Sequence, residues 1–379
     1  MTLPAVAPLR LASLEPVALE MPLDRAVVTP FATVRNVVAL FVRARDEDGA
    51  EGWGEAWCNF PRFGHRHRAR IVAEVLAPAL VGRAFDSPAD AWLRADEATR
   101  ALRLQSGEPG PFAAAIAGVD IALWDLAARN AGLPLWRMLG GKDPRVPVYA
   151  SLARADDPRP TLERALAEGF RAFKVRSTGA IGDHLAAVRM ARAVVGEEPE
   201  LALDVNGTWE PEAAIATIDE LAPARLAWVE EPLAVDAPDA AWRRLAQAAP
   251  MPLAGGENLI GADAFDAALA SPALRVLQPD LTKWGGISGG LPLARRIVAS
   301  GRRLAPHVFA GAPGLLAAAH LFAAGGSSDG ILEYGVGRHP ARDALLAREL
   351  RDGAIVLGEA PGLGLPVDTD ALAPYRVAL

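Results

Sequence analysis

Seven polar residues recur at nearly even spacing through the second half of this 379-residue chain: Lys174, Asp204, Glu230, Glu257, Asp280, His307 and Glu333, at intervals of 30, 26, 27, 23, 27 and 26 residues. Each stands at or just past the end of a short β-rich run, and alanine-rich helical stretches separate the runs. The runs are Val146 to Ala150, Ala172 to Val175, Leu201 to Val205, Leu226 to Val229, Met251 to Ala254, Leu274 to Leu277, Arg303 to Ala305 and Ile331 to Leu332. Eight strand-helix units of about 31 residues each build a closed parallel barrel. A lone Asp or Glu after a strand is ordinarily a helix cap or a solvated loop residue. Seven in strand-end register predict side chains gathered in the C-terminal mouth of one barrel.

The chain before Pro144 has a different texture. From Val17 to Trp57 it alternates, with Val37 to Val42 strongly β-like and Asp48-Gly49 marking a hairpin turn. From His67 to Arg137 the apolar spacing turns helical, as in Ile71, Val75, Leu76 and then Ile116, Val119, Leu123, Leu126. Strands followed by helices predict an α+β domain. Past Asp343 a hairpin-like stretch, Ala354 to Val356, and a Pro/Gly-rich tail cannot begin a ninth unit and are expected to fold back onto the first domain. The expected division is residues 1–130, 131–345 and 346–379.

Three carboxylates on consecutive strands, Asp204, Glu230 and Glu257, repel one another in a low-dielectric mouth unless a cation neutralises them. Oxygen ligands without histidine or cysteine suit magnesium, with manganese as the alternative. Asp280 and His307 end neighbouring strands, and an aspartate bonded to an imidazole fixes its tautomer and raises its basicity, which makes His307 the leading general base. Lys174 and Arg176, two apart on one strand, share a face and form a cation pair suited to a substrate carboxylate. His320, in the apolar run Leu315 to Ala324, reads as a core histidine. The run Gly285-Gly286-Ile287-Ser288-Gly289-Gly290 lacks the spacing of a nucleotide-binding fingerprint and reads as a loop after the sixth barrel strand.

Bulk properties narrow the partners. A formal charge of -7 provides no basic face for nucleic acid, so a small molecule is the expected partner. The single cysteine, Cys58, cannot form an intrachain disulfide, which suits a reducing, cytoplasmic setting. Pro4, Pro8, Pro16 and Pro22 break the first thirty residues, so no signal peptide is read. No membrane span is expected either, the most apolar stretch being the one around Leu315.

The motifs Gly52-Trp53-Gly54-Glu55, Lys174-Val175-Arg176, Asp204-Val205-Asn206-Gly207, Trp228-Val229-Glu230-Glu231-Pro232, Gly255-Gly256-Glu257, Pro279-Asp280, Pro306-His307 and Leu332-Glu333-Tyr334 together resemble the mandelate racemase branch of the enolase superfamily, over nearly the whole chain. The resemblance implies a (β/α)7β modification of the TIM barrel, covered by an N-terminal α+β capping domain that the C-terminal segment completes. It implies magnesium on Asp204, Glu230 and Glu257, an Asp280–His307 catalytic dyad, and a protonated Glu333 donating a hydrogen bond to the substrate carboxylate. The muconate-lactonizing and dipeptide-epimerase branch looks different, with a lysine at the position of Asp280. Arg176 departs from the racemase pattern, where a second lysine serves as the opposite-face base; a guanidinium accepts protons poorly.

The expected reaction is therefore α-proton abstraction from a carboxylate, leading to dehydration of a sugar acid to a 2-keto-3-deoxy acid, a lyase activity. The alternative is a racemase or epimerase of a 2-hydroxy acid. Asn206 joins the substrate-binding candidates, with Arg62, His65 and His67 from the basic stretch Arg62 to Arg68, which is expected to be a capping-domain loop reaching the far end of the substrate. A homo-oligomer is expected.

Overall fold

The computed structural model describes residues 3–28, 33–152, 157–177, 179, 181–346 and 350–379, with backbone alone for 24–28 and 33–34. Strands β1 (Leu9–Val28), β2 (Thr33–Asp46), β3 (Glu51–Ala56) and β4 (Ala84–Phe85) form an antiparallel sheet in the order β3-β2-β1-β4. Asp48-Gly49 makes the β2–β3 turn: Gly49 takes φ 85° and Ala50 N donates to Asp46 Oδ1 at 2.8 Å. A segment of three continuous helical pieces, Gly64–Arg70, Ile71–Leu76 and Ala77–Leu80, and the helices Pro88–Ser106 and Pro109–Asn130 complete the N-terminal domain.

The Pro109–Asn130 helix corrects one expectation. Its length and mean hydropathy of 1.5 over an 18-residue window match a membrane span, whereas the helix around Leu315 is too short. It is instead 94% buried over that window, because β3 packs on one side of it and the barrel on the other. Glycines in β3 make this close approach feasible: an added Cβ at Gly52 would lie 2.2 Å from Ala122 O, and one at Gly54 would lie 2.1 Å from Gly118 O.

Eight parallel strands follow: β5 (Arg145–Ser151), β6 (Ala172–Arg176), β7 (Glu200–Asp204), β8 (Trp228–Glu230), β9 (Leu253–Gly255), β10 (Val276–Leu277), β11 (Arg303–Leu304) and β12 (Leu332–Gly335). Their order is β11-β10-β9-β8-β7-β6-β5-β12. Ile331 N donates to Leu304 O at 3.1 Å and Glu333 N to Pro306 O at 3.2 Å, which closes the ring between β11 and β12. All eight expected runs become strands, shortened at the N-terminal end where β8, β9 and β10 begin about two residues late. Tyr149, Trp228 and Ile331 with Ala172, Ala202, Ala254, Val276 and Ala305 fill the interior, large beside small, as a packed barrel core requires.

The C-terminal segment runs along the barrel first and then reaches the N-terminal sheet. β13 (Ala354–Val356) pairs antiparallel with β5, Val377 N donates to Ala18 O at 3.0 Å, and Leu372 packs against Val17, Leu19 and Met21 of the N-terminal sheet.

His320 is a core histidine. Its Nδ1 accepts from Trp136 N at 2.8 Å and its Nε2 faces Leu363 O at 3.3 Å, so the neutral ring ties the Ala312–Gly325 helix to two other segments. Burial lowers its pKa to about 4. Between about pH 6.5 and 4 the unfolded state then binds more protons than the native state, so stability falls as pH falls across that window, by up to about 3 kcal/mol from this group. Urea midpoints measured from pH 7 to 4 should drop for the wild type and drop less for His320→Gln. His339, lowered similarly by burial, supplies a residual slope in the variant.

Candidate active site

Barrel register delivers the predicted side chains to one place. Arg176, Asp204 and Glu230 are ladder neighbours on β6, β7 and β8. Lys174 Nζ, fully buried, reaches Glu230 Oε1 at 2.5 Å and Glu333 Oε1 at 2.9 Å, spanning from β6 to β8 and β12, with Asp204 Oδ2 at 3.9 Å. Arg176 grips Asp204 Oδ2 through Nη2 at 2.7 Å and Nε at 2.9 Å. Across the mouth, His307 Nδ1 lies 2.7 Å from Asp280 Oδ2. The other oxygen of Asp280 accepts from Thr282 N at 2.8 Å and Thr282 Oγ1 at 2.6 Å. The carboxylate therefore cannot turn, and the Nδ1–H tautomer leaves His307 Nε2 facing the mouth, 3.3 Å from Glu257 Oε2 and 4.0 Å from Glu333 Oε2.

Four further polar residues join the cluster. Gln278 Nε2 donates to Glu230 Oε2 at 2.6 Å. Asn258 Nδ2 bridges to both Glu231 oxygens, at 2.9 and 3.1 Å. Lys283 Nζ binds Asn258 Oδ1 at 2.9 Å and Glu257 Oε1 at 3.2 Å, beneath the ring of Trp57 at 4.7 Å. Glu231, Asn258 and Lys283 lie in loops past the strand ends, where a strand period no longer marks them. The doubled acid Glu230-Glu231 and the polar Glu257-Asn258 pair were the available signals.

Charge is unevenly matched. Six carboxylates, Asp204, Glu230, Glu231, Glu257, Asp280 and Glu333, face Lys174, Arg176, Lys283 and His307. Burial pushes the carboxyl of Glu230 up to about 7 and that of Glu231 up to about 8, with neighbouring carboxylates adding to the rise. Burial would also raise Glu257, but His307 and Lys283 overcome it and hold this group well below the usual carboxylate range. Burial lowers His307, yet Glu257 and Glu333 outweigh it and lift the imidazole to about 9.

Asp204, Glu230 and Glu257 each turn toward a cationic side chain, and among the described residues no three acid, histidine or cysteine groups converge on a single ion position. The donor chemistry still fits a hard divalent cation. All three offer oxygen donors at or just past the ends of adjacent strands, and the raised carboxyls of Glu230 and Glu231 mark a negative surplus that such an ion would offset.

Several expectations need correction. The stretch Arg62 to Arg68 is not a loop over the mouth, since from Gly64 it is helical. His65 is buried against Glu20 at 3.0 Å, His67 pairs with Glu108 at 3.2 Å, and Arg68 stacks on Trp57 at 5.5 Å. Arg62 is exposed, and among the described residues no hydrogen bond or ion pair joins it to the mouth. Local pairing with Glu20 and Glu108 absorbs His65, Arg66 and His67. Trp57 is what reaches the barrel, its N donating to Thr282 O at 3.0 Å. Asn206 serves Asp204, donating its N to Oδ1 at 2.9 Å and Nδ2 to Oδ2 at 3.3 Å. Glu333 faces two cations: burial would raise its carboxyl, but Lys174 and His307 pull it down to about 2 in the absence of substrate. Val308 N also donates to Glu333 Oε2 at 3.1 Å. The glycine run opens the Gly286–Ala299 helix, whose first amides, Ile287 N and Ser288 N, are taken by Asp120 Oδ2 at 2.7 and 2.9 Å, which leaves no place for a phosphate.

Comparison with known proteins agrees with this architecture. Residues 159–371 match the family described as Enolase C-terminal domain-like, and residues 14–140 match the Mandelate racemase / muconate lactonizing enzyme, N-terminal domain. D-galactarolactone cycloisomerase of Agrobacterium fabrum is 29% identical over 377 residues, covering 94% of this chain and 97% of that protein. D-galactonate dehydratase of Verminephrobacter eiseniae is 30% identical over 350 residues, covering 87% and 88%. The crystal structure of a mandelate racemase/muconate lactonizing enzyme from Bordetella bronchiseptica RB50 superposes with a TM-score of 0.91 at 46% identity, covering 97% of this chain and 99% of that one.

Proposed function

The chain belongs to the mandelate racemase and muconate lactonizing enzyme family of the enolase superfamily, and from that premise we propose that it is a magnesium-dependent sugar-acid dehydratase forming a 2-keto-3-deoxy acid. The observation that carries this reading is the pair of His307 and Asp280, bonded at 2.7 Å with Nε2 turned toward the carboxylate cluster, 3.3 Å from Glu257.

Asp204, Glu230 and Glu257 would hold the cation, which when bound supplies positive charge to the substrate carboxylate as negative charge builds there. A cation on Glu257 would offset the strongest upward pull on His307 and so lower the imidazole from about 9, which makes Nε2 more available as a base. His307 removes the α-proton while Lys174 and Arg176 present fixed positive charge to the substrate carboxylate. The resulting imidazolium then gives its proton to the β-hydroxyl on the same face. The C–O bond breaks, water departs, and the remaining enol tautomerises to the 2-keto acid. A lactone whose ring oxygen stands at the β-position would open by the same elimination without losing water, and the likeness to a cycloisomerase favours testing it.

Racemisation needs a second base on the opposite face. Burial alone would lower Lys174, but Glu230 and Glu333 overcome it and raise the amine well above its ordinary range. Arg176 is raised as well: Asp204 and Glu257 outweigh its burial. A guanidinium accepts protons poorly with or without that pull, and Lys174 keeps Glu333 Oε1 at 2.9 Å when a cation engages Glu230, which favours dehydration over racemisation. With magnesium and a panel of aldonic and aldaric acids and their lactones, a 2-keto acid should form and the unreacted acid should keep its configuration. Lys174→Met should cut that keto-acid formation by at least about 100-fold, a loss of fixed charge where charge develops. Accumulation of the epimeric acid without a keto acid would overturn the dehydratase in favour of an epimerase.

A further inference from the structure

Two buried carboxylates of the N-terminal domain accept backbone amides at the start of barrel helices. Asp120, on the Pro109–Asn130 helix, does so for the Gly286–Ala299 helix. Glu55, in β3, does so for the Ala312–Gly325 helix, taking Gly311 N at 2.7 Å on Oε1 and Gly314 N at 2.9 Å on Oε2. The two joints look alike, but they hold different things. Gly311 ends the loop that begins at His307, whereas the amides held by Asp120 lie beyond the glycine turn that follows Asp280 and Thr282.

The fit around Glu55 has no slack. A Cβ on Gly311 would stand 3.1 Å from Glu55 Oε2 and 3.0 Å from Phe41 Cε1. A Cβ on Gly314 would stand 3.0 Å from the same oxygen and 3.0 Å from Thr282 Cγ2. Two residues after Glu55, Trp57 N donates to Thr282 O at 3.0 Å, and Thr282 is the residue that clamps Asp280 through its amide and hydroxyl. The end of β3 and the residue after it thus reach both halves of the dyad at one remove: Glu55 holds the far end of the His307 loop, and Trp57 holds the residue that fixes Asp280.

The geometry assigns Glu55 as a positioning residue for the general base: by binding Gly311 N and Gly314 N it sets the His307 loop against Asp280, so that docking of the N-terminal domain is registered in the His307–Asp280 hydrogen bond. This rests on the reading of His307 as the base. Glu55 touches no reacting atom in this account. A neutral amide at position 55 offers one acceptor oxygen and one donor group to two amide donors, so Glu55→Gln must release one of them. A displaced base loses near-attack geometry even when the substrate still binds.

The test uses the full-length, magnesium-loaded protein without substrate and reads the downfield Nδ1 proton of His307 by NMR, assigned by its absence in His307→Asn. In Glu55→Gln this proton should move upfield and exchange with solvent faster by about tenfold or more. Asp120→Asn, which breaks the companion joint, should leave it in place while lowering the thermal midpoint comparably. Gly311→Ala crowds the loop without removing the carboxylate and should reproduce the Glu55→Gln shift, which covers the case in which Glu55→Gln does not fold. With any aldonate that turns over, Glu55→Gln should lower kcat by on the order of tenfold with KM within about twofold. An unchanged Nδ1 proton in both Glu55→Gln and Gly311→Ala, or an equal change in Asp120→Asn, overturns the assignment. Persistent α-proton abstraction in His307→Asn would instead overturn the base and leave the Glu55 contact standing.

Discussion

His307→Asn should lower turnover by about 1,000-fold or more, the size of effect expected when a positioned general base is lost. The variant should bind magnesium and fold as the wild type does. The loop from His307 to Gly311 is anchored at its far end by Glu55, and an asparagine in place of His307 puts no larger side chain in the mouth. Asp280 keeps both hydrogen bonds from Thr282, so it is not left as an unsatisfied buried charge. The deficit should therefore appear in kcat, measured by keto-acid formation, with thermal midpoints of the two proteins within a few degrees.

Chelation of the divalent cation should abolish activity, and magnesium or manganese should restore it. The stronger expectation concerns protons. Glu230 and Glu231 hold protons up to about pH 7 and 8 because burial disfavours their charged forms. In metal-free protein the native state then binds more protons than the unfolded state from about pH 4.5 upward, so these two groups lower stability progressively as pH rises through that window. A cation that binds their neighbourhood removes the penalty and releases protons as it does so. Calorimetry at pH 7 in buffers of different ionisation enthalpy should detect proton release on magnesium addition. The thermal midpoint should rise with magnesium, more at pH 8 than at pH 6, with a stabilisation of about 2.7 kcal/mol at 100 times Kd. Glu230→Gln should lose the activity and much of the proton release. Magnesium binding without proton release, or activity that survives chelation, would remove Asp204, Glu230 and Glu257 as its ligands.

The barrel and the heart of the site were readable because one geometric constraint generates both. Strand ends spaced by one strand-helix unit must open into a single mouth, so Lys174 through Glu333 could be placed together without knowing any contact. What lay outside that period was hidden. Lys283 and Asn258 sit in loops where neither the strand nor the helix repeat applies. His65 and His67 looked available because their partners, Glu20 and Glu108, are 45 and 41 residues away in sequence. Asp120, which fills the start of the glycine-rich helix, is 167 residues from Ile287. The downward pull on Glu333 comes from Lys174 and His307 both lying beside it, a distance no spacing rule supplies. The Pro109–Asn130 helix is hard to recognise as an apolar span because its two acids, Asp120 and Asp125, read as solvent-facing. They are buried, Asp125 accepting from Trp53 N at 2.8 Å and Leu363 N at 2.6 Å.

Metal-dependent removal of an α-proton by His307 is read directly by proton NMR in D2O. With magnesium present and a panel of aldonic, aldaric and uronic acids, the wild type should erase the α-proton signal of at least one acid while keto-acid resonances appear, and His307→Asn should leave that signal intact. Retention of every α-proton signal by the wild type, or loss of the signal in His307→Asn at the wild-type rate, would rule out His307 as the base.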